Sequence, residues 1–110
     1  MFDIGQLAER LGGDRRLARE LVTIFRADSP GLMRRIKQAV TKRNLDAMAH
    51  AAHALKGALA TIGAAPARET AARLEAAARA ADSKAAGPLV ATLAADMALL
   101  NRTFTVKKKK

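Results

Sequence analysis

The chemistry open to this 110-residue chain is narrow. It has no cysteine, tryptophan or tyrosine, and its two histidines are His50 and His53. The absence of cysteine removes disulfides, thiolate metal sites and thiol nucleophiles. An exposed imidazole is largely neutral at pH 7 and presents a lone pair. Lys56 and Gly57 follow His53 at i+3 and i+4, positions that share its face on a helix. Lys56 would set a positive charge beside an anion at the imidazole nitrogen. A mid-helix glycine costs about 1 kcal/mol relative to alanine. In a chain with 27 alanines, Gly57 therefore reads as a position chosen for its lack of a side chain. A bare patch beside an imidazole lets another surface come close. Asp46, His50 and His53, at i, i+4 and i+7, also share a face. Zinc wants about four ligands, and neither a further histidine nor any cysteine exists to complete the set, so no metal is expected.

The segment that carries these residues is the most regular in the chain. Leu45, Met48, Ala52, Leu55, Leu59 and Ile62 recur at steps of three and four, a bundle seam of about five turns. Asn44 suits its N-cap and Gly63 its stop. At about 100° per residue, His53 points about 130° from the seam and His50 nearly opposite it. Both are expected outside the core. Punctuation predicts five further helical segments. The first, 2–11, has Asp3 as N-cap and Ile4, Leu7 and Leu11 on one side, and ends at Gly12 and Gly13. Asp14 caps the next, where Leu17, Leu21, Ile24 and Phe25 recur at helical spacing. Asp28, Ser29 and Pro30 read as a break or kink. A third segment carries Met33, Ile36 and Val40 inward and stops near Lys42 and Arg43. After the seam helix, Pro66 opens a segment with Ala67, Thr70 or Ala71, Leu74 and Ala77 or Ala78 inward. Residues 82–87 read as a loop, and Pro88 starts the last helix, with Leu89, Leu93, Met97, Leu100 and Phe104 inward. The expected fold is all-α: an antiparallel four-helix bundle with one or two additional N-terminal helices packing on or capping it.

Composition agrees with helices. The 27 Ala and 13 Leu face three Phe, and β-branched competitors are few. The length supports one domain. Net charge is +10, and without Lys107 to Lys110 it falls to +6. That lysine run repels itself and is expected to be a disordered tail, 107–110, after a domain of 1–106. The basic excess suits a soluble surface or an acidic partner. Nucleic acid is not expected, because no aromatic stacking platform or recognition-helix motif is present. No apolar stretch is long enough to span a bilayer, and the first residues lack the basic-then-apolar pattern of a secretory signal. A soluble, cytoplasmic monomer without membrane insertion is the expectation.

Ala52-His53-Ala54-Leu55-Lys56-Gly57, followed by Ile62-Gly63-Ala64, resembles the signature of histidine-containing phosphotransfer (HPt) domains. That family reads roughly A-H-x-L-K-G and then, six residues later, a G-A turn. Residues 2–14 resemble its opening helix and glycine-aspartate turn. Phe25, the Leu74-Glu75 pair and the closing amphipathic helix also fall where the family has them, so the resemblance covers about residues 2–102. Ala58 stands where the family often has serine, and His50 is an extra histidine one turn early. The resemblance implies that His53, which alone precedes L-K-G, is the phosphorylated histidine. Lys56 is then the accompanying lysine and Gly57 the small residue.

The resemblance further implies exchange of a phosphoryl group with aspartates of response-regulator receiver domains, in either direction. Those receivers include the ones attached to hybrid sensor histidine kinases. Such transfer needs in-line geometry and charge neutralisation more than covalent work from the protein. Lys56 could supply one charge. Mg²⁺ must come from the receiver, since no acidic cluster lies near His53. No glycine-rich phosphate loop is present, so the chain is expected to be a phosphotransfer intermediate, with no cofactor and no kinase activity of its own. Ala49, His50, Ala54, Ala60 and Thr61 are candidates for docking the partner. Two rivals stand beside this reading. One is the dimerising, phosphorylated helix pair of a sensor kinase, which usually has an acidic residue directly after the histidine. The other is a non-catalytic helical adaptor with the same fold.

Overall fold

The structure is a computed structural model that describes residues 4–108, with side chains through Thr103. Five helices and no strand make up the described residues: α1 (Ile4–Arg10), α2 (Arg15–Lys42), α3 (Leu45–Ile62), α4 (Ala65–Arg79) and α5 (Ser83–Lys108). α3 packs between α2 and α4; α5 lies on α4 and, more lightly, on α2; α1 rests on α2. The core is built from Leu7 of α1, Phe25 and Ile36 of α2, Leu55 and Leu59 of α3, Leu74 of α4 and Leu93 of α5, with alanines filling between them. No helix of the described residues is long and apolar enough to cross a membrane.

Local chemistry sets the helix ends. Gly12 and Gly13 take φ values of 74° and 89°, left-handed backbone that ends the first helical stretch. The Asp14 carboxylate accepts the Leu17 N–H at 2.9 Å, and the Asn44 side chain accepts the Ala47 N–H at 3.0 Å. α3 ends in a Schellman turn at Gly63 (φ 75°): the Gly63 N–H reaches the Ala60 carbonyl and the Ala64 N–H the Leu59 carbonyl. The Arg10 guanidinium lies against Gly63 and donates to the Ala60 carbonyl at 3.4 Å, tying α1 to that end.

Two expected interruptions are absent. α2 runs unbroken through Pro30, so the two segments predicted on either side of it are one helix. An interior proline costs about 3 kcal/mol. Val22 and Phe25 before it, and Met33 and Ile36 after it, are all buried on one face. At about 1.5–3 kcal/mol each, their burial outweighs the proline. Likewise α5 begins at Ser83, not Pro88. Asp82 caps it by accepting the Ala85 N–H at 3.1 Å, and buried Ala86 anchors the first turn. At its other end α5 continues through Lys107 and Lys108, two residues into the expected tail. Lysine is a good helix former, and cations suit a helix C-terminus.

The expected inward faces hold with exceptions. Leu17, Ile24 and Val40 are 38%, 56% and 40% exposed. The buried arc of α2 follows Ala18, Val22, Phe25, Ser29, Met33 and Ile36, which leaves Leu17 and Ile24 on its flank. Ala39 is the last buried residue of α2, so Val40 falls past the end of the core. Phe2 and Asp3 lie outside the described residues, and Phe104 outside the described side chains.

Ser29 is the polar residue on that buried arc, and its hydroxyl has no hydrogen-bond partner. A buried unsatisfied hydroxyl costs about 1–3 kcal/mol. Ser29→Ala should therefore raise the urea midpoint of unfolding, by about 1 kcal/mol or more in stability. A lower midpoint would show that the hydroxyl is paired in solution.

Candidate functional site

The candidate site sits where α3 meets α4. His53 and Lys56 project from one flank of α3, three residues apart, towards Glu75 on α4. The His53 ring is outside the core, with its side chain 62% exposed. Its Nδ1 lies 3.0 Å from Glu75 Oε2. Lys56 Nζ lies 2.7 Å from Glu75 Oε1. Arg79, one turn along α4, donates to Oε2 from both Nε and Nη2, at 3.0 and 2.9 Å. The Glu75 side chain is only 11% exposed, against 33% for Lys56 and 55% for Arg79.

A carboxylate so buried is costly unless it is paired and hydrogen-bonded. Here it is paired throughout. The Lys56 hydrogen bond is the largest influence holding the Glu75 pKa down, from 4.5 to about 2. Burial pushes the other way, and Arg79, the Lys56 charge and His53 add to the lowering. Glu75 is thus ionised at neutral pH and can only accept. The hydrogen on its bond with His53 must sit on Nδ1. In the neutral ring that selects the tautomer: the Nε2 lone pair is free on an exposed ring, ready for an electrophile.

Gly57, one turn beyond His53, presents open space, for a Cβ built there meets nothing within 4 Å. No packing within the fold requires this glycine. His50, Ala54, Ala60 and Thr61 are exposed on α3, and Thr61 Oγ1 donates to the Gly57 carbonyl at 3.1 Å. One expectation needs correction: Ala49, expected on the docking rim, is buried at 4%. Lys56 lies on the His53 flank, with its ammonium paired to Glu75. Asp46 and His50 are not drawn in with His53: no group of three or more such side chains converges as a metal site among the described residues.

Sequence reasoning gave no role to Glu75 or Arg79. A signal was present. Glu75 lies four residues after Ala71 and three before Ala78, on the apolar stripe of its helix. An acid on a buried stripe demands a cation, and Arg79 at i+4 is one.

A family model for the Hpt domain matches residues 20–103 of the chain. No curated protein and no solved structure gives a match.

Two outcomes follow from the geometry. Glu75 binds its proton less readily folded than unfolded, so its contribution is fully present above pH 4.5 and is lost as pH falls towards about 2. Acid titration of unfolding should show a decline on the order of 3 kcal/mol across that window, flattened in Glu75→Gln. Gly57→Ala should stabilise the fold by about 0.5–1 kcal/mol in thermal unfolding; destabilisation would mean that the glycine serves packing.

Proposed function

The chain belongs to the Hpt family, whose members carry phosphoryl groups on histidine in phosphorelays, and we propose that His53 is the carrier here. In this reading Nε2 of His53 accepts a phosphoryl group from an aspartyl phosphate of a response-regulator receiver. It then yields the group to the aspartate of another receiver. The observation that carries the proposal is the His53–Glu75 contact, which engages Nδ1 and turns Nε2 of the exposed ring outward, with its lone pair free in the neutral form. Lys56 and Arg79 add positive charge around the group as phosphate arrives, screened in part by Glu75.

Mg²⁺ and the remaining acid groups belong to the receiver in this scheme. The chain's own part is to present the nucleophile on a rigid helix and to clear its surroundings. Gly57 gives the incoming loop room, and Ala54, Ala60, Thr61 and His50 form the docking rim. The antiparallel arrangement of α2 to α5 as a four-helix bundle would hold that surface without a lid. The basic excess of the chain suits the acidic pocket of a receiver and speeds encounter. We place the domain in the cytoplasm as a monomeric intermediate, without kinase activity, serving free or hybrid-kinase receivers.

Incubation with a phosphorylated cognate receiver should move label onto the chain as an acid-labile, base-stable adduct. His53→Gln should abolish that label, while His50→Gln should keep most of it. Label persisting in His53→Gln would shift the assignment to His50. Gly57→Leu should slow transfer about tenfold or more, the cost of a lost close approach, with unfolding little changed.

A further inference from the structure

The positive charge of the chain is not spread evenly. Setting aside Lys107 to Lys110 leaves 16 of the 20 basic residues. α2 holds eight of these and two of the ten acidic residues, so it carries the whole excess of +6, and the remainder balances at eight of each. Five of its cations, Arg16, Arg19, Arg26, Arg34 and Lys37, stand at i, i+3, i+10, i+18 and i+21. Those steps are close to whole turns, so the five form one stripe about 30 Å long. Asp28 lies well off the stripe, and Glu20, at its edge, makes no ion pair among the described residues. Arg16, Arg19, Arg34 and Lys37 are exposed and likewise make none. On α4, by contrast, Arg73 pairs with Glu69 and Arg79 with Glu75. Unpaired like charges in a row repel one another, so the stripe favours an anion that lies along it.

Beside the C-terminal half of the stripe runs a groove of about 350 Å³ between α2 and α5. Arg34 and Lys37 line it from α2, Ala94 and Ala98 from α5, and buried Met33 and Met97 form its floor. The two alanines stand one turn apart and keep the α5 wall low, where α5 packs only lightly on α2. We propose that this groove docks an acidic amphipathic helix of a partner protein, laid along α2. Its apolar side rests on the methionines and alanines, and its carboxylates face Arg34 and Lys37. A bare polyanion uses the charge and leaves the floor uncovered. An uncharged apolar helix covers the floor and strands the cations beside it. An acidic helix with an apolar stripe satisfies both. Continued along α2, it reaches Arg19 and Arg16. α3 packs between α2 and α4, and α5 lies on α4 and α2, so the groove is across the fold from the α3–α4 edge that bears His53. A helix seated there leaves the imidazole uncovered, and the inference stands apart from the phosphotransfer reading.

The probe is a synthetic, fluorescently labelled peptide of about 20 residues, long enough to span the stripe as a helix, with leucine and alanine on one face and glutamate on the other. Titrated with the full chain it should bind, and a scrambled peptide of the same composition and charge should bind about tenfold more weakly. Arg34→Glu with Lys37→Glu should weaken binding about tenfold or more. Arg35→Glu with Lys42→Glu makes the same change of charge on exposed α2 positions outside the groove, and should cost about threefold at most. In amide spectra of the isotope-labelled wild-type chain, peptide-induced shifts should gather around Met33, Ala94 and Met97 and spare the residues around His53. Absence of peptide binding overturns the inference, and so do shifts centred on His53. Equal losses in the two double variants, or a scrambled peptide that binds as well, reduce the stripe to diffuse charge and overturn it too. Tighter binding of an oligothymidylate of the same length overturns it in favour of a nucleic-acid surface.

Discussion

The site depends on one ionised carboxylate held almost out of water. Glu75 sits on the packed face of α4, where burial of a charge alone would cost several kcal/mol. Three donors from two helices offset that cost: His53 and Lys56 from α3, and Arg79 from its own helix. The arrangement is reciprocal. The cations keep the carboxylate charged, and the charged carboxylate sets the tautomer and angle of the imidazole. The imidazole and the ammonium on one acid also pin α4 to α3 at the height of the histidine, while Arg79 supports that acid from within α4. The same contacts that register the two helices thus place the His53 ring.

Alanine does the complementary work in the core. Ala51 and Ala52 on α3 and Ala67 and Ala71 on α4 are buried, and their small side chains let the helices approach closely. The large side chains, Leu55, Leu59 and Leu74, then fill the space between. A close α3–α4 approach is what lets a side chain as short as glutamate reach both His53 and Lys56. The aromatic contribution is small: of three phenylalanines, Phe25 is the one in the described core.

Much of this was legible in the residues, and the exceptions are instructive. The α3 seam, its Asn44 cap and its Gly63 stop follow from period and turn chemistry, which act locally. The exposure of His50 and His53 follows from the same period. Pro30 misled because its cost is local while the burial that overrides it, at Phe25 and Ile36, depends on tertiary packing. Pro88 misled in the same way: Asp82 and buried Ala86 start α5 before it. Ala49 was placed on the rim because a helical wheel measures angle from the seam and cannot say which flank a neighbouring helix covers. Glu75 was visible as part of the Leu74-Glu75 pair and as an acid on an apolar stripe; that its partners include His53 needed the pairing of α3 with α4.

The exposed α3 surface around His53 leaves some work undone. The imidazole is 62% exposed, and beside it Gly57 opens onto empty space. Bulk water therefore has the same line of approach to a group on Nε2 as any protein visitor has. In the proposed reading, no described side chain on this side shields the cargo or inspects the caller. Fidelity must then be kinetic and must belong to the visitor, whose fit has to deliver an acceptor oxygen faster than solvent does.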